Sequence, residues 1–336
     1  KKFSLSSNKK EDTTLIHSRP QVVVSRCLGF DTCRYNGQMI PSKFVKRLKK
    51  YVQYFTVCPE FDIGLGAPRA PVRMVRKSDG IRLIQPLTGN DVTERLTDYS
   101  HRFLDGLSGV DGFILKSASP TCGIKDVKVY PGEGKVMSSG RDSGFFGGIV
   151  IDRFNFLPVE DDGRLSNFII REHFLTTLFT VSRFRELSNN LTRKGLVDFQ
   201  SDNKLLFMSY NQNEMRIMGA IVGKMDSRDI REVYDEYSSH FYKTMSTPPR
   251  HTSHINVLMH GLGYFSKYIS SSEKRFFLDT LERYREGKIP LSVPLYILRS
   301  YVVAFESEYL ARQTFFEPYP EDLVEITDSG KGRSGK

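Results

Sequence analysis

No apolar run in this chain approaches the roughly 18 residues that a membrane-crossing helix needs, so no helical membrane span is expected. No stretch repeats at a fixed period, which sets aside solenoids and propellers. Cysteine is scarce, four in 336 residues, and so dispersed that a disulfide framework is not expected. Lys1 to Pro20 is polar and basic without an apolar centre. It reads as a flexible tail and not as a secretory signal. The expected compartment is therefore the reducing cytoplasm, where grouped thiols mean metal binding or catalysis more often than bridges.

What is present is ordinary for a water-soluble globular chain: 39% hydrophobic and 26% charged residues. The net charge is +10, which favours a polyanionic partner. The excess lies mainly on residues 1–162, partly in Lys1, Lys2, Lys9 and Lys10.

The first half alternates between strand and helix patterns. Strands are predicted over Gln21 to Ser25, Val52 to Val57, Gly112 to Leu115 and Leu157 to Glu160, with Val127 to Tyr130 extended. Arg73 to Arg76 and Ile81 to Ile84 read as a hairpin around Asp79-Gly80. Helices are predicted over Ser42 to Tyr51, from Asp91 to about Leu107 with Glu94 completing a capping box, and near Ser143 to Arg153. This alternation predicts an α/β parallel-sheet, Rossmann-like domain. After Asp162-Gly163 the pattern turns helical: 167–185, 187–191, 201–225, 227–245, 251–269, 273–286 and 291–314. The expected organisation is a tail over 1–20, a cysteine-bearing α/β domain over 21–162, an all-α domain over 163–326 and a basic tail over 327–336.

Three cysteines each follow a predicted strand: Cys27, Cys58 and Cys122. In an open parallel sheet the carboxyl ends of the strands share one edge, and that edge holds the ligand. Three thiols there can hold a metal centre by three corners and leave a fourth open. An iron–sulfur cluster with one free iron fits this better than a structural zinc, which four protein ligands usually close. The plainer alternative is that they are small buried hydrophobes.

Three segments carry a resemblance: Ser25-Arg26-Cys27-Leu28, Cys58-Pro59-Glu60 and Lys116-Ser117-Ala118-Ser119-Pro120-Thr121-Cys122-Gly123. With Gly89 to Glu94 and Asp111 to Leu115, they make the first 160 or so residues similar to the thiouracil desulfidase family. The helical half carries Arg171-Glu172-His173-Phe174, His254 to Phe265, Tyr284 to Leu291 and Pro318-Tyr319-Pro320. The combination resembles the tRNA 4-thiouridine desulfidases. The resemblance implies a 4Fe-4S cluster held by Cys27, Cys58 and Cys122 with one open iron, thiolated tRNA as partner, and removal of sulfur to leave a carbonyl. It also places a catalytic carboxylate at Glu60 and a catalytic hydroxyl at Ser119.

The residues suit that chemistry. A soft thiocarbonyl sulfur matches an iron held by thiolates. Glu60, two residues after Cys58, is placed to serve as general base for a water; the alternative is a solvated loop acid. Ser119 either assists proton transfer or shapes the turn before Pro120. The reaction is a net hydrolysis and needs no external electron donor. Lys116, Ser117, Arg34, Arg69 and Lys125 are candidates for contacts to substrate or RNA phosphate, with a solvated surface role or loop ordering as the alternative. Cys33, six residues after Cys27, is expected not to be a ligand but a buried thiol or a redox-sensitive neighbour, because that spacing is not a common cluster signature; the alternative is a fourth ligand that closes the cluster. His251, His254 and His260 are expected to serve packing, capping or RNA contact in preference to metal. Free thiouracil or thionucleosides as substrate, or a cluster-sensing RNA-binding protein without turnover, are the competing readings. A monomer is slightly favoured.

Overall fold

The structure, a computed structural model, describes residues 18–325. The tails expected at either end lie outside these residues, except for Ser18 to Pro20, where the expectation is corrected. Ser18 is buried and its hydroxyl donates to Phe179 O at 3.3 Å. Pro20 O accepts Gln53 N at 2.8 Å, extending the first strand pairing.

The first layer is a four-stranded, all-parallel sheet of β1 (Gln21–Ser25), β2 (Gln53–Val57), β6 (Gly112–Leu115) and β9 (Val159–Asp161), in the order β2-β1-β6-β9. Val22 stands between Tyr54 of β2 and Gly112 of β6, and Phe113 faces Val159 of β9. Val22 to Val24 and Phe113 to Leu115 are fully buried, the near-continuous apolar reading of a parallel strand covered on both faces. Val22, Val24 and Ile114 pack toward α1 (Lys43–Leu48) and α4 (Phe168–Asn189). Val23, Phe113 and Leu115 turn the other way, toward α2 (Thr93–Asp105) and α3 (Phe145–Arg153). The two-residue period of a strand divides them in this way.

A second sheet stands beside the first. It contains β3 (Arg73–Lys77), β4 (Gly80–Gln85), β5 (Asn90–Asp91), β7 (Val127–Tyr130) and β8 (Gly140–Asp142), in the order β5-β4-β3-β7-β8. The predicted hairpin is its centre. The capping box predicted at Asp91 and Glu94 does not form. Asp91 Oδ1 instead accepts Thr93 N at 2.9 Å, while the Glu94 side chain is 87% exposed beside Arg82.

Nine helices follow among the described residues: α4, α5 (Arg193–Asp202), α6 (Lys204–Tyr210), α7 (Gln212–Gly223), α8 (Ile230–Met245), α9 (His251–Phe265), α10 (Ser271–Arg285), α11 (Ser292–Ala304) and α12 (Glu308–Ala311). The single helix predicted over 201–225 is divided. Asn203 turns its amide back to Phe199 O, and Asn211 Oδ1 caps Glu214 N. Asparagine side chains compete in this way with the helical ladder. Helix α5, which the apolar spacing did not reveal, starts at Thr192, whose hydroxyl accepts Gly195 N. The helix predicted over 291–314 is likewise broken, at Glu306 with φ +49°.

Helix α4 joins the two halves. Phe174, Leu175, Leu178 and Phe179 cover the parallel sheet, and Val181 and Phe184 enter the aromatic core of the helical half. Arg185 at its end pairs with the fully buried Asp111 before β6, at 2.8 and 3.0 Å.

Candidate functional site

In the order β2-β1-β6-β9 the chain first runs from β1 to β2 on one side and then crosses to β6 on the other. The crevice outside the carboxyl ends of β1 and β6 is therefore the topological switch point, where open α/β sheets bind ligands. Cys27 leaves β1 there, Cys122 follows β6, and Cys58 ends β2 alongside.

Backbone bonds hold each cysteine. Cys27 O accepts Ile40 N at 2.8 Å, pinning the loop that also carries Cys33. Cys58 starts a short helical segment, Phe61–Leu65, and its O accepts Asp62 N at 2.9 Å while Asp62 Oδ2 accepts Cys58 N at 3.3 Å. Cys122 N donates to Ser119 Oγ at 3.0 Å. The carbonyls of this last loop also satisfy the start of α3: Phe145 N donates to Pro120 O, and Phe146 N and Gly147 N to Thr121 O, at 3.2, 2.9 and 3.0 Å. A helix start has no intrahelical partners for these donors. The seating requires glycine, since a Cβ on Gly147 would lie 2.3 Å from Gly123 O.

The thiols act on one another. Burial, and then Cys58, push the Cys27 thiol up to about 11, against the pull of Lys116 and Arg34. Burial raises Cys122 well above its ordinary value; a hydrogen bond with Ser25 opposes this, and Cys27, Cys58 and Glu60 add to it. Cys58 is raised by its hydrogen bond with Cys33, then by burial, with Glu60 a smaller cause. Cys33 is buried, and that same bond lowers its thiol. All four cysteines and Glu60 thus share one electrostatic neighbourhood.

Glu60 is held from both sides. Its Oε2 accepts Arg69 Nε at 3.0 Å and Nη2 at 2.6 Å, and its Oε1 accepts the Thr121 hydroxyl at 2.8 Å. Each carboxylate oxygen has two lone pairs, so Oε1 retains room for another donor. Arg69 is corrected as a candidate phosphate contact. Its side chain is 5% exposed, and Nη1 is spent on Cys33 O and Gly66 O at 2.8 and 2.7 Å. Its role is to fasten Glu60 and the Cys33 loop together.

The other sequence candidates are placed as follows. Ser119 Oγ accepts Thr121 N and Cys122 N at 3.2 and 3.0 Å, which leaves its own hydrogen to donate. Lys116 Nζ reaches Asp162 at 2.9 Å and Ser117 Oγ at 2.7 Å, and Ser117 N donates to Asp162 Oδ1 at 2.8 Å. Arg34 lies over the Tyr35 ring at 5.5 Å. Lys125 lines a separate shallow depression with Arg141 and three acids, Asp126, Asp142 and Asp152, a poor surface for a polyanion. His251, His254 and His260 do not form a metal site: His254 Nδ1 lies 2.8 Å from Tyr284 OH and His251 packs on the same ring.

Sequence reasoning did not single out Thr121, Ser25, Asp62 or Asp162. Asp62 gathers Arg26, Tyr99 OH at 2.6 Å and the Cys58 amide. Two of them lay within segments that carry the resemblance: Thr121 directly before Cys122, and Ser25 two residues before Cys27.

No three His, Cys, Asp or Glu side chains among the described residues close on a single metal ion. A cluster is a larger body than an ion, and its thiolates stand further apart. The donor set fits such a body: soft sulfurs from separate strand ends, Cys122 buried and Cys27 and Cys58 half-buried, with Lys116, Arg34 and Arg26 to offset thiolate charge.

Fold and site together define a thiol-lined ligand crevice at the switch point of a parallel α/β domain, followed by a helical domain. A family model described as 2-thiouracil desulfurase matches residues 22–162, and one described as a protein of unknown function, DUF1722, matches residues 204–320. The uncharacterized protein YbgA of Escherichia coli (strain K12) is 31% identical over 160 residues, which is 46% of this chain and 94% of that protein. The uncharacterized protein YbbK of Bacillus subtilis (strain 168) is 31% identical over 109 residues, 30% of this chain and 72% of that protein. Among solved structures, the [4Fe-4S]-dependent thiouracil desulfidase TudS is 26% identical, covering 44% of this chain and 93% of its own, with a TM-score of 0.34. The chain belongs to the 2-thiouracil desulfurase family, carries a DUF1722 domain after it, and is an enzyme that removes sulfur. No helix of the described residues is long and apolar enough to cross a membrane.

Proposed function

We propose that this enzyme converts 4-thiouridine in tRNA to uridine in the cytoplasm, using a 4Fe-4S cluster held by Cys27, Cys58 and Cys122, with the helical half binding the RNA. The observation that carries the proposal is that three thiols follow neighbouring strands β2, β1 and β6 at one edge of the parallel sheet, with the Glu60 carboxylate clamped by Arg69 and by Thr121, the residue before Cys122. When bound, the cluster supplies a soft Lewis-acidic iron suited to a thiocarbonyl sulfur.

The chain's own residues do the rest. Glu60 holds a water at the open lone pair of Oε1 and takes its proton as the oxygen attacks the ring carbon. Arg69 and Thr121 keep that carboxylate oriented, so little reorganisation accompanies the attack. The Ser119 hydroxyl, its oxygen already occupied by two amides, donates its hydrogen to the pyrimidine. Lys116, tied to Asp162 at 2.9 Å, offsets negative charge beside Cys27. Thiocarbonyl and water give carbonyl and hydrogen sulfide, with no change in oxidation state. Cys33 stays outside the ligand set, hydrogen-bonded to Cys58.

The test is anaerobic reconstitution followed by incubation with 4-thiouridine-bearing tRNA and mass spectrometry of its nucleosides. The expected result is loss of 4-thiouridine matched by uridine and sulfide. A second reading, free thiouracil as substrate, is favoured by the description of the matching family. Sulfide released from the free base while tRNA stays intact would replace the first reading with the second.

A further inference from the structure

Helices α5, α6, α7, α9 and α12 enclose an open groove of about 800 Å³, away from the cysteine crevice in sequence. This is within the range of small-ligand pockets, roughly 300–1,000 Å³. Its floor includes the buried thioethers of Met208 and Met215. Tyr264 and Tyr309 stand at its edge, stacked with ring centroids 5.8 Å apart at 25°, and Tyr264 is 51% exposed. An aromatic ring that keeps half its surface in water beside an apolar floor offers a face to a flat ligand.

The charge on this groove is one-sided. Lys204, Arg216 and His260 line it, and no acid does. Lys204 and Arg216 are exposed and form no ion pair with an acid among the described residues. The two acids on the neighbouring helix α5, Asp198 and Asp202, are both engaged by Arg312, at 3.9 and 3.0 Å.

We infer that this groove binds an unstacked nucleotide of single-stranded RNA, with the base on Tyr264 and the phosphates on Lys204 and Arg216. An apolar seat, a ring face and unmatched cations are the combination that single-stranded nucleic acid requires. The inference rests on the proposed tRNA reading and names where the helical half grips a segment outside the cysteine crevice.

The experiment uses the full chain and a short fluorescein-labelled oligouridylate, followed by fluorescence anisotropy over a range of salt. Tyr264→Ala weakens binding about tenfold or more, within the range of one lost base–aromatic stack. Tyr264→Phe, which keeps the face, binds as the parent does. Lys204→Ala with Arg216→Ala lowers the slope of log affinity against log salt by about 1.4, the value for two phosphate contacts on a single strand. All three variants hold iron and keep their urea midpoint at the parent's level.

If the parent binds oligouridylate and the variants bind with the same affinity and slope, the groove assignment is wrong and the tRNA reading stands. If affinity falls as stated but 4-thiouridine in tRNA is never converted, the groove stands and the substrate reading fails. If oligouridylate ignores the groove and Tyr264→Ala instead dissociates a dimer in sedimentation, the occupant is a second copy of the chain and the inference is overturned.

Discussion

Glu60 in the α/β half and His254 in the helical half are both largely buried, yet their surroundings differ in kind. Glu60 lies where loops from three parallel strands converge: Arg69 and Cys58 share its own loop after β2, Thr121 and Cys122 come from the loop after β6, and Cys27 from the loop after β1. His254 has one polar partner, Tyr284 OH at 2.8 Å on α10, and otherwise touches rings. Other buried polar groups of the helical half are closed by one or two partners: His173 by Tyr210 and Thr177, Glu172 by Tyr319, Glu214 by His240 and Lys243. Local groups of this kind satisfy each other and are closed to further chemistry. Strand-end loops gather several reactive groups and leave valences open, as the second lone pair of Glu60 Oε1 illustrates.

The strongest way to break this contrast is to remove one thiol. Cys122→Ser is expected to lose the cluster, with iron per chain falling to near zero and sulfide release falling by more than about 100-fold. The helical half should keep its far-ultraviolet circular dichroism. Cys33→Ser should retain both iron and turnover. Iron retained by Cys122→Ser, or lost by Cys33→Ser, would redraw the ligand set.

Glu60→Gln sharpens it next. The amide keeps a carbonyl oxygen for Arg69 but cannot take a proton. Turnover should fall by about 10² to 10⁴, the usual worth of a general base, while iron and sulfide contents match the parent. An unchanged rate would return Glu60 to a purely structural role beside Arg69.

The sequence showed this site unevenly, for physical reasons. Cys27, Cys58 and Cys122 are visible because strand patterns are local: β1 at Gln21–Ser25 and β6 at Gly112–Leu115 coincide with the predicted segments, and strand ends share an edge by topology. The clamp on Glu60 was not visible. Thr121 is 61 residues away, and no local pattern states which loop meets which. The second sheet was read only as a hairpin and one separate extended piece, Val127–Tyr130. Its outer strands, Asn90–Asp91 and Gly140–Asp142, are short, polar and without alternation. They are strands by virtue of their neighbours. In the helical half the apolar period ran on across Asn203 and Asn211, where side-chain capping breaks the helix while the spacing continues.

Glycine substitutions set the two halves against each other directly. In Gly147→Ala the new Cβ would lie 2.3 Å from Gly123 O and 2.7 Å from Cys122 O, both backbone atoms. The loop that presents Cys122 must shift, at a cost of about 3 kcal/mol, and iron retention should drop with it. In Gly263→Ala on α9 the Cβ meets nothing within 4 Å. Better helix propensity should then raise stability by up to about 1 kcal/mol. Urea midpoints with iron assays read both; an unaffected Gly147→Ala protein would mean that the α3 seat does not position the cysteine.

The smallest effect tests whether the helical half is closed as argued. Burial, then the neighbouring His251, lower His254 to about 4 from the ordinary 6.5. Above pH 6.5 the ring is neutral in both folded and unfolded chains, and this contribution to stability is fully present. Between 6.5 and 4 only the unfolded chain takes up the proton, so stability falls as pH falls, by about 2 kcal/mol at pH 5 for one such ring. His173, lowered to about 4 by burial alone, adds a fall of the same sign. His254→Phe leaves Tyr284 OH without this partner and is less stable at pH 7, but its urea midpoint should decline less steeply from pH 7 to pH 5 than the parent's. Equal slopes would mean that the His254 ring takes up its proton without leaving the fold, and the contrast between a closed helical half and an open strand-end crevice would lose its clearest example.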